Sequence, residues 1–541
     1  MNWKVHYPNE EALETLLPRS LGHMFYECVL RTPDQVAFDF FDHDQRLTYS
    51  ELSDHVRRVA ASLRRMGARK GTHIAIVMPN RIEFPVLWFA ITWIGAVSVQ
   101  LNPKYTGGEL GYALNDADVD FLVIDETCLA AFDSMSKRPA RLTDASIVVI
   151  GTADSSGPFR QWQTLLDSEP LDDCPSEHIS QGDLTSILYT SGTTGFPKGC
   201  MLGHRYWLQL ARSTLFCQGG HHPQNVLIYE PMFYMQGNFI MLTAMLANAT
   251  IFCPSHPSIA KFLGWVETFA IDYCAYPAPA VVGIEDVPTE KGRSLQWVHA
   301  WYFHGDALER LESRFDVVAR DVYGMTENGC CLYVPVDRPD IAASGAMGIV
   351  APWREVRLVD GDGNDVPEGS VGELWTAGPG HLHGYYRKPD ANADAFRGKW
   401  FRTGDLMRRD AAGAYHLIGR IKDMVKRSGE NISAAEVEHC LCKMPGVMMA
   451  AVVPVPDELR GEEIKAYVRL EEGMDSKGLP PSQILEYCAQ RIASFKVPRY
   501  LAYVEAFPMT AGNDKIAKPR LIAGVTDLAL DAFDRIDQVW R

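Results

Sequence analysis

The segment Tyr189-Thr190-Ser191-Gly192-Thr193-Thr194-Gly195-Phe196-Pro197-Lys198-Gly199 concentrates hydroxyls, glycines and a lysine in one short stretch. Its glycines permit backbone torsions that other residues resist, so successive amide N–H groups can turn toward one anion. The hydroxyls add donors and Lys198 adds a positive charge. That combination suits a loop that holds a polyphosphate without a helix terminus. The spacing G-x-x-x-x-G-K-S/T is absent, so this is not a Walker A loop. No G-x-S-x-G elbow surrounds Ser191, which removes a Ser-His-Asp reading. The 12 cysteines, scattered from Cys28 to Cys488, contain no C-x-x-C pair. They read as reduced core residues rather than a zinc site.

The elements that must carry this loop are legible around it. An apolar run at 184–188 predicts a strand leading into it. Thr48 with Glu51 forms a capping box. Leu52, Val56, Val59, Leu63 and Met66 then fall on one helical face, and Gly67 is a left-handed stop. A strand is expected at 73–78, ended by Pro79. The uncharged run at 84–103 has an apolar part, 84–99, short for a membrane span and interrupted by Pro85 and Gly95. It reads as a buried helix running into a buried strand. Helix followed by apolar strand, repeated, predicts a layered α/β domain with buried strands.

A second change of texture comes near residue 420; up to Trp400 there are short strands with Gly/Pro turns, such as 356–359 and 372–376 around Asp360-Gly361-Asp362-Gly363. After Arg420 it becomes compact α+β. Ser433 and Glu436 form a second capping box opening a helix to about Cys442. Strands are expected at 448–455, 464–470 and 500–504, with a helix at 484–492. The domains expected are therefore 1–420 and 421–541. The chain has 541 residues, 47% hydrophobic and 22% charged, with a formal charge of −16 from 52 basic and 68 acidic residues. That is globular composition. A net negative surface argues against nucleic acid as a partner. Residues 1–18 show no apolar signal core, so a soluble, cytoplasmic protein without a membrane span is expected.

The loop resembles the signature of the adenylate-forming superfamily, which includes acyl-CoA synthetases, luciferases and the adenylation domains of peptide synthetases. Further motifs resemble that family's in the expected order, over nearly the whole chain. In Tyr323-Gly324-Met325-Thr326-Glu327 the resemblance implies that Tyr323 stacks on adenine, Thr326 meets the phosphate and Glu327 helps hold Mg²⁺. A hard dication favours such a carboxylate with phosphate oxygens. Asp321 matches a nucleotide-contacting position. Gly305-Asp306-Ala307 matches the other adenine wall, with His304 where a glycine is usual. Trp400-Phe401-Arg402-Thr403-Gly404-Asp405 resembles the ribose motif, Asp405 accepting from both hydroxyls. Arg420 would reach the ribose or phosphate, and Lys422 matches the hinge. Arg427-Ser428-Gly429-Glu430 resembles the loop that enters the site with the CoA thiol. Lys515, within Asp514-Lys515-Ile516-Ala517-Lys518, matches the lysine that bridges the carboxylate and the α-phosphate, with Asp514 where the family has glycine.

The resemblance implies a large multi-subdomain N-terminal domain and a small mobile C-terminal lid. It implies an ATP-, Mg²⁺- and CoA-using ligase that forms an acyl-AMP and then a thioester. Thr190, Glu327 and Lys515 would be catalytic, and Thr190, Ser191, Gly192, Thr193, Thr194 and Lys198 would hold phosphates. Its acyl pocket would be lined by Tyr234, where histidine is usual, and by Gln236, Gly237, Tyr276, His304 and Met325. A small or medium acid is expected, and the resemblance admits a homodimer. Two alternatives stand beside it. One is a module loading an acid onto a carrier protein, though no acidic residue for an amine occurs between Pro231 and Ala244. The other is a nucleotide-binding member whose adenylation has lapsed.

Overall fold

The computed structural model describes residues 14–151, 157–171, 174–190, 197–219, 221–281, 283–301, 307–428, 430–509 and 516–541. By packing, the chain divides into two units. The first comprises Met1–Val356, Thr376–Phe401 and Ala412–Ala414; the second comprises Arg357–Trp375, Arg402–Ala411 and Tyr415–Arg541. This division gives parts of 357–411 to the second unit, upstream of the change in texture at residue 420.

In the first unit the helix Leu21–Arg31 precedes an antiparallel pair, β1 (Val36–Phe40) and β2 (Gln45–Thr48). The helix Tyr49–Arg65 then begins on the expected capping box, with Thr48 and Glu51 each satisfying the other's backbone N–H. Leu52, Val56, Val59 and Leu63 are buried on its face, and Gly67 ends it at φ +102. The chain next builds β3 (His73–Val77), β4 (Val97–Leu101), β5 (Phe121–Asp125), β6 (Ile147–Ile150), β7 (Arg160–Gln161), β8 (Leu184–Thr190) and β9 (Lys198–Gly203). These form a seven-stranded sheet in the order β7-β6-β5-β3-β4-β8-β9. It is parallel except for the β8–β9 hairpin. Every residue of β3 and β4 is buried, as expected of parallel strands covered on both faces. The uncharged run forms the wholly buried helix Glu83–Trp93 and then β4.

The chain then returns to the first sheet through β10 (Asn225–Leu227), β11 (Thr250–Phe252), β12 (Tyr273–Tyr276), β13 (Trp297–Ala300), β14 (Val318–Met325), β15 (Gly329–Tyr333) and β16 (Ile349–Val350). The nine strands lie in the order β16-β15-β14-β13-β12-β10-β11-β1-β2. The six from β14 to β1 are parallel, with antiparallel strands at both margins.

In the second unit a seven-stranded sheet contains Met424–Arg427, Glu430–Ser433, Val447–Asp457, Gly461–Leu470, Tyr500–Tyr503, Phe533–Asp534 and Val539–Trp540. Helices Ala434–Cys442 and Pro481–Ala489 pack on it, giving the α+β texture read from the sequence. The second helix starts three residues before the expected 484 because Pro481 takes the first-turn position that suits proline. Ser433 caps its helix as expected, but the Glu436 carboxylate bonds Lys496 Nζ at 2.6 Å. All 12 cysteines are free thiols, ten of them buried. Among the described residues no His/Cys/Asp/Glu cluster fit for a metal occurs, and no helix is long and apolar enough to cross a membrane.

Candidate active site

The phosphate-type loop closes the β8–β9 hairpin. Thr190 pairs with Lys198 at its base, while Ser191, Gly192, Thr193 and Thr194 lie outside the described residues. Both stems are pinned by hydroxyls. Tyr189 donates to Asp116 Oδ2 at 2.9 Å, and Tyr112 donates to the Pro197 carbonyl at 3.0 Å. Lys198 Nζ stands 4.9 Å from the centroid of the Tyr385 ring, a cation–π contact. The same tyrosine donates its hydroxyl to Glu327 Oε1 at 3.0 Å. Tyr385 thus brings the loop lysine and the metal-type carboxylate to one ring. The sequence reading missed it, because it lies 58 residues beyond Glu327 with no local motif.

Glu327 is buried and lies in the turn between β14 and β15. Asn328 shapes that turn, accepting from the Met325 N–H at 3.1 Å and donating to Thr376 Oγ1 at 3.3 Å. The ladder slips between Tyr323 and Gly324. A Cβ on Gly324 would stand 2.3 Å from the Gly329 carbonyl oxygen, so only glycine fits there. Tyr323 is buried at 8% exposure, and Thr326 is half-buried at the strand end. Asp321 is buried within β14, takes one hydrogen bond from the Val322 N–H, and is pushed up to about 7 by burial. Ala307 opens the helix Ala307–Phe315, while His304, Gly305 and Asp306 lie outside the described residues.

The expected acyl segment follows β10. Tyr234 is half-buried against Phe233, with ring centroids 4.3 Å apart, and accepts from Asn102 Nδ2 at 3.3 Å. Gln236 donates to Glu230 Oε1 at 3.2 Å. A Cβ on Gly237 would lie 2.7 Å from the Pro231 carbonyl, so the helix Met235–Leu246 can start this tightly only on glycine. Asn238 is buried and donates to Gln100 Oε1 at 2.5 Å, which ties it to the fold. Met325 packs against the same core cluster as Tyr234.

Tyr276 departs from the expectation. Along β12, Tyr273 and Ala275 enter the cluster that contains the acyl segment, whereas Cys274 and Tyr276 enter the opposite one. The two-residue period of a strand therefore turns Tyr276 away, onto Phe262 at 5.1 Å. In its place the structure offers Trp301 and His299, each 6.1 Å from Phe239 of the helix Met235–Leu246. The acyl segment and Trp301 follow the carboxyl ends of the parallel strands β10 and β13, and the Tyr323 motif begins within the carboxyl end of β14. That crevice is where open α/β sheets take ligands.

In the second unit Asp405 and Arg420 are register partners joined by an ion pair of 2.7 Å, with Asp405 buried. The Asp405 N–H donates to Thr403 Oγ1 at 3.0 Å, so both expected ribose residues sit on one braced hairpin. Lys422 lies in the short turn Ile421–Asp423. Glu430 pairs with Arg427 across the turn that contains Gly429, itself outside the described residues. Ser428 stands there at φ +52. Lys515 also lies outside them, and Lys518 pairs with Glu438 at 2.7 Å.

The family model for AMP-binding enzymes matches residues 25–386, and that for the AMP-binding enzyme C-terminal domain matches 436–513. The chain is 28% identical to a putative acyl-CoA synthetase, YngI, of Bacillus subtilis, over 94% of this chain and 97% of that one. It is 30% identical to a feruloyl-CoA synthase of an Amycolatopsis species, over 87% of this chain and 92% of the relative. Its fold matches the crystal structure of the anthranilate CoA ligase AuaEII with TM-score 0.83 at 22% identity, covering 94% of this chain and 98% of that one. With an AMP-binding model spanning well over half of its length, the chain belongs to the AMP-binding enzyme family, in the acid–CoA ligase branch of the adenylate-forming enzymes.

Proposed function

We propose that this ligase activates a small or medium carboxylic acid, and that Lys198, Glu327 and Lys515 divide the work of adenylation. The acid's carboxylate oxygen attacks the α-phosphorus of ATP. The bond to the β-phosphate oxygen breaks, pyrophosphate leaves, and acyl-AMP remains. The CoA sulfur then attacks the acyl carbon, the carbon–oxygen bond to AMP breaks, and the thiol proton passes to solvent. No protein nucleophile is required, so the residues act by position and charge.

One observation carries the assignment of residues: Tyr385 couples Lys198, on the loop stem, to Glu327. In this reading Thr190 and Lys198 hold the β- and γ-phosphates, with Ser191 to Thr194 completing the loop. Tyr323 and Ala307 flank adenine, Thr326 meets the phosphate, and Asp405 with Arg420 takes the ribose. Glu327 offers the hard carboxylate oxygen that Mg²⁺ prefers, and the ion would neutralise phosphate charge there. Lys515 approaches the α-phosphate, and a pivot at Lys422 exchanges it for the Gly429 loop. The aromatic wall of Phe239, Trp301 and His299 limits the length of the acid.

The test is AMP formation with CoA over a panel of short aliphatic and aromatic acids, for wild type and Lys515→Ala. Wild type is expected to release AMP and form thioester with at least one acid. Lys515→Ala is expected to lose acyl-AMP formation by a factor of about 100 or more, the order seen when one charge-stabilising group is removed. Equal adenylation by the variant would overturn the role of Lys515.

A further inference from the structure

Glu230 lies three residues beyond β10, immediately before the acyl segment. Asn80 fixes its backbone, donating to the Glu230 carbonyl at 3.0 Å and accepting from the Met232 N–H at 2.8 Å. One carboxyl oxygen accepts from Gln236 Nε2 at 3.2 Å. The other, Oε2, is buried without a hydrogen-bond partner among the described residues. Burial raises this carboxyl to about 8, against the backbone N–H groups of Glu230 itself and Tyr229. A buried polar atom left without a partner is costly, so in a native fold it calls for one.

Gln236 and Phe239 are three residues apart and share one helix face. Gln236 thus holds the Glu230 carboxyl beside the acyl segment, on the helix whose Phe239 meets Trp301. Gln236, an amide, already supplies the donor for Oε1.

We infer that Glu230 is a specificity residue that exchanges a hydrogen bond, through Oε2, with a hydroxyl or amino group carried by the substrate acid away from its carboxylate. This rests on the acid–CoA ligase reading and narrows its substrate class. Glu230 stands one position before the stretch from Pro231 to Ala244, which itself holds no acidic residue.

The experiment compares kcat/KM for CoA-dependent AMP formation within two trios. One is 4-hydroxybenzoate, 4-aminobenzoate and 4-methylbenzoate; the other is 4-hydroxybutyrate, 4-aminobutyrate and pentanoate. Wild type is expected to favour a donor-bearing member over the methyl member of its trio by tenfold or more, since a site built around a hydrogen bond rejects the analogue that lacks it. Glu230→Leu is expected to bring that ratio to one or below, with the methyl member gaining. Glu230→Gln, nearly isosteric, keeps preference for hydroxyl but loses it for the 4-aminobutyrate ammonium, and it decides the matter if the leucine variant does not fold. Equal use of methyl and donor members by wild type, or a ratio unchanged in both variants, overturns the inference. Failure of the parent reading looks different: no AMP from any acid with wild type.

Discussion

At the residue scale, Tyr385 links two groups of unlike charge. Its ring faces Lys198 and its hydroxyl donates to Glu327. Burial and the Glu327 carboxylate both hold the phenol proton in place, so it stays a donor. Tyr385→Phe keeps the ring and removes the hydrogen bond to a charged group, a loss of about 1.5–3 kcal/mol. The expected result is a several-fold fall in acyl-AMP formation with a KM for ATP changed less than threefold. Unchanged rates would remove Tyr385 from the site.

Asp321 gives a second prediction at this scale. Its folded-state pKa, about 7, lies above that of an unfolded aspartate. The folded state therefore holds an extra proton between roughly pH 4 and 7, and stability is lost as pH rises through that window. Asp321→Asn removes the ionisation. It is expected to raise stability, read as Tm, relative to wild type at pH 8 by clearly more than at pH 5, the stability difference being on the order of 2–4 kcal/mol at most. A gap that is constant with pH would show that the carboxyl is not desolvated. Asp321 was marked in the sequence only by its place two residues before Tyr323. Nothing in a strand's pattern reveals how completely its neighbours will exclude water.

At the element scale, local signals survived into the structure where one element decides the outcome. The Thr48–Glu51 box, the buried stripe from Leu52 to Leu63 and the stop at Gly67 are all intrahelical, and all are found as expected. Expectations failed where a second element decides. Glu436 left its capping role for Lys496, sixty residues away. Tyr276 turned to the far face because strand parity is set by β10 and β13 on either side. Trp301 and Phe239 went unread because only the fold brings strand and helix together. The strands Phe533–Asp534 and Val539–Trp540 are too short for a periodic signal, and the buried Asp534 anchors them through Arg499 and Arg541.

Arg427 grips the buried Glu463 through two hydrogen bonds, 2.7 and 3.2 Å, and Arg460 lies 3.4 Å from the same carboxylate. The Ser428 N–H donates to the Arg460 carbonyl at 2.8 Å. This pair fixes the stem of the loop proposed to escort the thiol. Breaking a buried pair by removing one partner costs about 3–5 kcal/mol locally. Glu463→Gln is expected to slow thioester formation at least tenfold while acyl-AMP formation changes less than threefold. Equal losses in both half-reactions would make the pair a general support of the fold.

At the scale of the whole molecule, the family models cover both units, and the AMP-binding model alone spans residues 25–386. The order of motifs along the chain made that legible before any geometry was known. What the order did not reveal is which groups meet: the Tyr385 junction, the aromatic wall and the Glu230 corner each join residues from separate parts of the first unit. The account turns on two chemical steps sharing one intermediate. Its most direct test is a rapid-quench experiment with purified enzyme, ATP, Mg²⁺ and an accepted acid, analysed by mass spectrometry, with CoA added after the first turnover. Acyl-AMP is expected to accumulate to about one per active site with matching pyrophosphate, and to convert to acyl-CoA and AMP when CoA arrives. Thioester formed with release of ADP and phosphate, and without acyl-AMP, would contradict the two-step chemistry.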